Sequence, residues 1–226
     1  MTSPTVQALL MCLGFYAVDS SVNVASGKPS WLSSTWTLSS RASNVVDGTK
    51  YLNHDTLFPR CIHTRFEPFP RWWVNLTGDY TISRIDIDYR RDTSYRMHGY
   101  KLIVSNTEST SRWNRGHRIA GHICYTEVRT DPPTQQTVPC LARGQYITYA
   151  DDYRSPKDPN PYVELCELEA LGCPTGWYGQ NNCDNPCPEG CLEIACNPDN
   201  GACFHGCKTG LQGITCNTTC DDGRFG

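Results

Sequence analysis

His63, Arg90 and Arg96 carry side chains able to read a small polar ligand. A guanidinium is a planar, permanently charged fork of donors, and an imidazole donates or accepts according to its tautomer. A neutral sugar presents hydroxyls that do both, and its axial and equatorial hydroxyls differ only in direction, so fixed donors can sort one sugar from another. Hydrogen bonds to charged donors are worth about 1.5–3 kcal/mol each before the cost of stripping water from the hydroxyls. A single sugar would therefore be held weakly. The competing reading is that Arg90, with Asp86, Asp88 and Asp92 close by in sequence, belongs to a solvated ion-pair face that contributes little. Enzymatic chemistry has no comparable set. His63 lacks a nucleophile or paired-carboxylate context, and no phosphate-cradling or metalloprotease motif occurs.

Strands must position these groups. Between Asn23 and Gly172 apolar residues recur mostly with period two, in short runs separated by Gly, Pro, Asn and Asp, which predicts an all-β sandwich. In Ile85-Asp86-Ile87-Asp88-Tyr89-Arg90 the Ile and Tyr side chains fall on one face and the charged ones on the other, so Arg90 starts outside the core. Trp72, Val74 and Leu76 likewise share a face, with Trp73, Asn75 and Thr77 opposite. Further strands are expected over residues 101–105, 145–150 and 162–171.

The 226 residues, 38% apolar with 18 Gly and 15 Pro, can bury one sizeable core and a small second module. A net charge of −3 without a long basic run argues against a nucleic-acid groove. Of the 14 cysteines, nine lie between Cys173 and Cys220, the density of a disulfide scaffold. In the front part Cys61, Cys124, Cys140 and Cys166 allow three pairings, among which the sequence does not choose. Cys124 with Cys140 would close a short polar loop, and Cys61 with Cys166 would tie an early loop to the last strand.

The run from Val6 to Ala17 has the length of a secretory apolar region and is too short to span a bilayer. Residues 1–20 are read as a signal peptide, cut after Ala17 or near Ser20. Two acceptor sequons, Asn75-Leu76-Thr77 and Asn217-Thr218-Thr219, suit a secreted glycoprotein, and Asn75 falls on the non-core face of its strand. Losing Cys12 leaves an odd thirteen cysteines. The stretch from Cys173-Pro-Thr-Gly-Trp-Tyr-Gly is repeated from Cys207-Lys-Thr-Gly-Leu-Gln-Gly at an offset of 33 to 34 residues, and the second copy reads as cut short at Gly226. The short spacings among Cys183, Cys187, Cys191, Cys203 and Cys207, with His205 between, also fit zinc, but zinc thiolates suit a reducing compartment.

From about Asn23 to Gly172 the chain resembles the F-type lectins, or fucolectins, of the galactose-binding-like jelly rolls to which discoidin domains also belong. The resemblance is carried by Asn23-Val24-Ala25-Ser26-Gly27-Lys28-Pro29, Ala42-Ser43-Asn44-Val45-Val46-Asp47-Gly48, Cys61-Ile62-His63-Thr64, Trp72-Trp73-Val74-Asn75-Leu76 and Leu165-Cys166-Glu167-Leu168-Glu169. It implies a jelly-roll β-sandwich that takes terminal fucose-like sugars. The family's sugar motif is a His, twenty-six residues, Arg-x-Asp, four residues and an Arg or Lys. Here His63 and Arg90-Arg91-Asp92 meet it, but only Thr93-Ser94-Tyr95 precede Arg96, one residue fewer than the family has. Thr93 and Ser94 stand where members often carry adjacent cysteines. The resemblance makes His63, Arg90 and Arg96 the carbohydrate-binding residues, with Tyr51 or Tyr95 as an apolar seat for a sugar methyl.

The same resemblance implies a structural calcium at Asn44, Asp47, Thr49, Arg60, Cys166 and Glu167, mostly through backbone carbonyls, with carboxylates from Asp47 and Glu167. Arg60 stands where the family often has Ser, one oxygen fewer and one positive charge more. On the residues alone, Asp47-Gly48 reads as a turn and Glu167 as a surface strand residue. Residues 173–206 resemble an EGF-like repeat of multiple-EGF-domain and scavenger-receptor proteins, and residues 207–226 the start of a second, which implies a spacer or protein-binding rod. The expectation is a secreted or cell-surface, non-enzymatic, calcium-containing lectin for fucosylated glycans, gaining strength as a homo-oligomer or on a clustered surface, with protein partners for the tail. The alternative is an adhesion or receptor fragment whose jelly roll has lost its sugar and contacts proteins.

Overall fold

The computed structural model describes residues 22–50, 61–108, 120–151, 156–179 and 182–220. The signal-peptide segment 1–20, Tyr51 and the calcium candidate Arg60 lie outside the described residues. Seven antiparallel strands build the front part: β1 (Val22–Asn23), β2 (Ser30–Leu32), β3 (Arg71–Tyr89), β4 (Lys101–Ser105), β5 (His122–Thr126), β6 (Gln135–Ala150) and β7 (Leu165–Pro174). Their hydrogen-bonded order is β1-β7-β3-β6-β4-β5, with β2 also paired to β3.

Both long strands serve two layers. Residues 71–75 of β3 pair with the end of β6, alongside β2, β4 and β5, whereas residues 80–89 pair with β7 and the start of β6. The register of β3 against β6 breaks between Asn75 and Tyr80. Thr77 bends the chain there with φ 65°, its N–H held by the Asn75 Oδ1 at 2.8 Å. The result is the all-β sandwich, and the alternating residues Trp72, Val74, Leu76, Ile85, Ile87 and Tyr89 meet in its core. Full burial of each such side chain is worth about 1.5–3 kcal/mol.

Alternation fails at two places. Trp73, on the opposite face from Trp72, is buried too, because its ring stacks on Trp31 with centroids 6.1 Å apart and lies under the Arg71 guanidinium. In β7 a register shift lies where Asp88 pairs with Glu167 and Tyr89 with Leu165. The bulge moves the core-facing set from Val163 and Leu165 to Leu168 and Ala170, and Glu164 and Glu167 on either side of it are both buried. Strand β4 covers the expected residues 101–105; β6 begins ten residues earlier than the expected 145, because the second layer needs its first half. Residues 91–97 form 3-10 turns, with a kink at Thr93.

Cys61 is bonded to Cys166 and Cys124 to Cys140. In the tail Cys173 pairs with Cys183, Cys187 with Cys196, Cys191 with Cys203, and Cys207 with Cys216, leaving Cys220 as the one free thiol among the described residues. The cysteines that could have made a zinc site are therefore spent in disulfides. The sequence repeat is visible as two small hairpins, β8 (Trp177–Tyr178) with β9 (Asn185–Pro186), and β10 (Leu211–Gln212) with β11 (Thr218–Thr219). Strand β7 runs on through Cys173 and Pro174, pairing with Thr81 and Tyr80, so the sandwich and the tail share one strand. No helix among the described residues is long and apolar enough to cross a membrane.

Candidate functional site

The end of β3 delivers Arg90, the 3-10 turn after it delivers Arg96, and the segment after Cys61 delivers His63. All three side chains meet on one carboxylate. Glu164, just before β7, is fully buried; its Oε1 accepts from Arg90 Nη1 at 3.0 Å and lies 3.4 Å from His63 Nε2, while its Oε2 accepts from Arg96 Nη1 at 3.2 Å. The backbone fixes this meeting, since the Arg90 N–H donates to the Glu164 carbonyl at 3.2 Å. Arg90 and Arg96 thus point at the same carboxylate from opposite ends of the short turn.

Each guanidinium is clamped from a second side. Arg90 donates through Nε and Nη2 to both oxygens of Asp92, 2.7 Å each, and Arg96 donates through Nε to Asp158 at 3.0 Å. The carboxylates hold both arginines in their charged form, Arg90 chiefly through Asp92 and Arg96 through Glu164 against the cost of burial. Burial pushes the His63 pKa below that of a free imidazole; Glu164 opposes the shift, and Arg90 and Arg96 reinforce it. The ring is thus neutral at physiological pH, and its Nε2 is buried without a formed hydrogen bond. Chemically, the cluster offers preorganised cationic donors beside an imidazole, groups able to read hydroxyl directions.

Aromatic rings enclose it. Trp36 stacks on His63 with centroids 5.5 Å apart, Tyr162 meets the same imidazole edge-on at 5.5 Å, and the Arg96 guanidinium lies 4.5 Å over the Tyr162 ring. Tyr95, an expected methyl seat, instead lies beneath the cationic groups of Arg96 and Lys157. Sequence reasoning missed Glu164, Asp158, Tyr162 and Trp36. Trp36 left a signal, an aromatic residue within the otherwise polar Ser33-Ser34-Thr35-Trp36-Thr37. Glu164 left none, because its burial depends on side chains that are distant in sequence.

The calcium candidates gather around Glu167, three residues after Glu164. Asn44 sits in a 3-10 turn over Ala42–Val46, and Asp47 follows it, its Oδ1 accepting the Thr49 N–H at 2.9 Å. Gly48 has φ +78°, and its N–H donates to Glu167 Oε1 at 3.1 Å. Glu167 is nearly fully buried, and burial, aided by the charges of Asp47 and Glu169, pushes its pKa up to about 8. Its Oε2 is buried without a hydrogen-bond partner. Nearby Lys50 is paired with Glu169 instead. Among the described residues no group of three His, Cys, Asp or Glu side chains is arranged to hold a metal. Of the two sequon asparagines, Asn217 is exposed, whereas Asn75 is half-buried, with its Oδ1 accepting from the Thr77 N–H and from Gln145.

Comparison with known proteins agrees with this architecture. Residues 44–148 match the family model described as NedA-like, galactose-binding domain. Fucolectin-6 of Anguilla japonica is 28% identical over 141 residues, covering 61% of this chain and 67% of that protein. Dendrite extension defective protein 1 of Caenorhabditis elegans is 32% identical over 84 residues, and the match spans 32% of this chain but 7% of that much longer protein. Among solved structures, an F-lectin (fucolectin) from the serum of Morone saxatilis superposes with a TM-score of 0.53 at 22% identity, over 67% of this chain and 47% of that one. The chain has the galactose-binding-like fold.

Proposed function

We propose that this chain is an extracellular lectin that binds terminal fucose-like sugars through His63, Arg90 and Arg96. The observation that carries this reading is the convergence of all three side chains on the buried Glu164 carboxylate. A bare ion-pair face would not enclose an imidazole between two clamped guanidiniums and two aromatic rings. The names of the relatives, Fucolectin-6 and F-lectin (fucolectin), support fucose as the sugar. The six disulfides among the described residues suit the oxidising environment outside the cell. The tail's repeated disulfide hairpins support the reading of an EGF-like stalk that holds the lectin away from its attachment.

Calcium is part of the proposal. The residues fit it: Glu167 Oε2 is an orphaned, buried carboxylate oxygen, and Asp47 lies close enough to raise the Glu167 pKa. Asp47 and Glu167 would hold the ion with the carbonyls of Asn44, Thr49 and Cys166. Bound there, it would supply the positive charge that this buried carboxylate lacks, and it would pin the Ala42–Val46 turn to β7.

Isothermal calorimetry of the whole chain with L-fucose tests the reading. Weak, saturable binding is expected, with at least a tenfold loss in His63→Ala and Arg90→Ala. Fucose binding that is absent, or unaffected by either substitution, would leave the cluster as a structural ion-pair network.

A further inference from the structure

Beside the cluster lies a cleft of about 730 Å³, walled by the loop after β2 and by Arg65. Its chemistry departs from that of a chain whose net charge is −3. Among the described residues no Asp or Glu lines it; Arg41 and Arg65 do, together with Trp31, Trp36, Leu38 and a row of Ser and Thr hydroxyls. Neither Arg41 nor Arg65 forms an ion pair with a described carboxylate. The carboxylate nearest to these walls in sequence, Glu67, accepts through its Oε1 from the Ser33 and Ser34 hydroxyls at 2.6 Å each.

The loop is anchored to the sugar-site cluster. Ser34 Oγ accepts the Arg65 N–H at 2.9 Å, Arg65 Nε donates to the Thr35 carbonyl at 3.0 Å, and the Trp36 N–H donates to the His63 carbonyl at 2.8 Å. These bonds seat one face of Trp36 on His63 and leave the residue 59% exposed. Trp36 is therefore shared by the cluster and the cleft. A ligand leaving His63 on this side would cross an indole face and then meet guanidiniums without an acidic partner among the described residues.

We propose that this cleft is a second subsite for an acidic saccharide unit, one that carries a carboxylate or a sulfate ester, joined to the sugar held by His63, Arg90 and Arg96. The inference rests on the sugar-binding reading above. An indole face takes the apolar C–H face of a sugar ring, and a guanidinium fork matches the paired oxygens of a carboxylate or sulfate. A locally positive cleft on a net-negative molecule also selects anionic ligands over neutral ones.

The test is calorimetry of the whole chain with three oligosaccharides that end in the same fucose: one neutral, one sialylated and one sulfated. The expected result is that at least one acidic form binds roughly tenfold more tightly than the neutral form at low salt, as a charge-assisted hydrogen bond would give. That ratio should shrink as salt screens the charges. Arg41→Ala should bring the ratio close to one, and Arg41→Lys should restore part of it. The acid giving the larger ratio identifies the source of the charge. Equal binding of all three glycans, or a ratio that survives Arg41→Ala, would overturn the second subsite alone. Failure of every fucosylated glycan to bind would overturn the sugar-binding reading and the subsite together.

Discussion

Glu164 receives hydrogen bonds from two arginines while lying out of reach of solvent, so its charge and theirs are held by one another. Removing one partner from such a buried arrangement leaves charge uncompensated, at a cost of about 3–5 kcal/mol. Glu164→Gln should therefore lower unfolding stability on that scale in denaturant titration. It should also reduce fucose affinity at least tenfold, because Arg90 and Arg96 lose their common reference point. A variant of unchanged affinity would show that the arginines are positioned by Asp92 and Asp158 instead. His63 gives a pH prediction. Its folded pKa is lowered by burial, so below about 6.5 the unfolded chain takes up a proton that the folded one resists. The stability contributed by neutral His63 is complete above that pH and is lost as pH falls toward the folded pKa. Fucose affinity should stay level from pH 8 to pH 6.5 and decline only at more acidic pH than a free imidazole would dictate, as read by calorimetry across pH.

At the scale of elements, the two disulfides of the sandwich do different work. Cys61–Cys166 closes a sequence separation of 105 residues and stands two positions from both His63 and Glu164, whereas Cys124–Cys140 closes 16 residues between β5 and β6, away from the cluster. Loop-closure entropy assigns them about 4.7 and about 3 kcal/mol. Replacing each pair by serines should lower the melting temperature in both cases, and more for Cys61 and Cys166. Sugar affinity should fall only when Cys61 and Cys166 are replaced. Equal affinity in both variants would mean that the backbone hydrogen bonds of Ile62 to Leu165 and of Arg90 to Glu164 suffice to hold the site.

For the whole molecule, calcium and display are the properties to measure. A cation that binds only the folded chain stabilises it by about 2.7 kcal/mol at a hundredfold excess over its dissociation constant. Adding calcium to chelated protein should therefore raise the melting temperature by several degrees, and Glu167→Gln should abolish most of the rise. A chelator without effect would remove calcium from the proposal. Single sugar sites of this polarity are weak, so binding to a dense fucosylated surface should exceed solution affinity by orders of magnitude only when several copies are displayed together.

Much of this molecule is legible from local pattern. Period-two alternation places Trp72, Val74, Leu76, Ile85, Ile87 and Tyr89 in the core, because successive strand side chains must point to opposite faces whatever the partner strand is. The spacing of His63, Arg90 and Arg96 and the doubled tail are equally written in the chain. What only the tertiary structure decides is how those residues are held. Alternation puts Glu164 on the face opposite Val163 and Leu165, yet it is fully buried, and it is that carboxylate, brought in from 68 residues beyond Arg96, that gathers the two arginines and the histidine. Trp36 becomes part of the site only when its loop folds onto His63. Alternation is a property of one strand, whereas the register of a bulge and the meeting of distant charges depend on what packs alongside, which no single stretch of sequence contains.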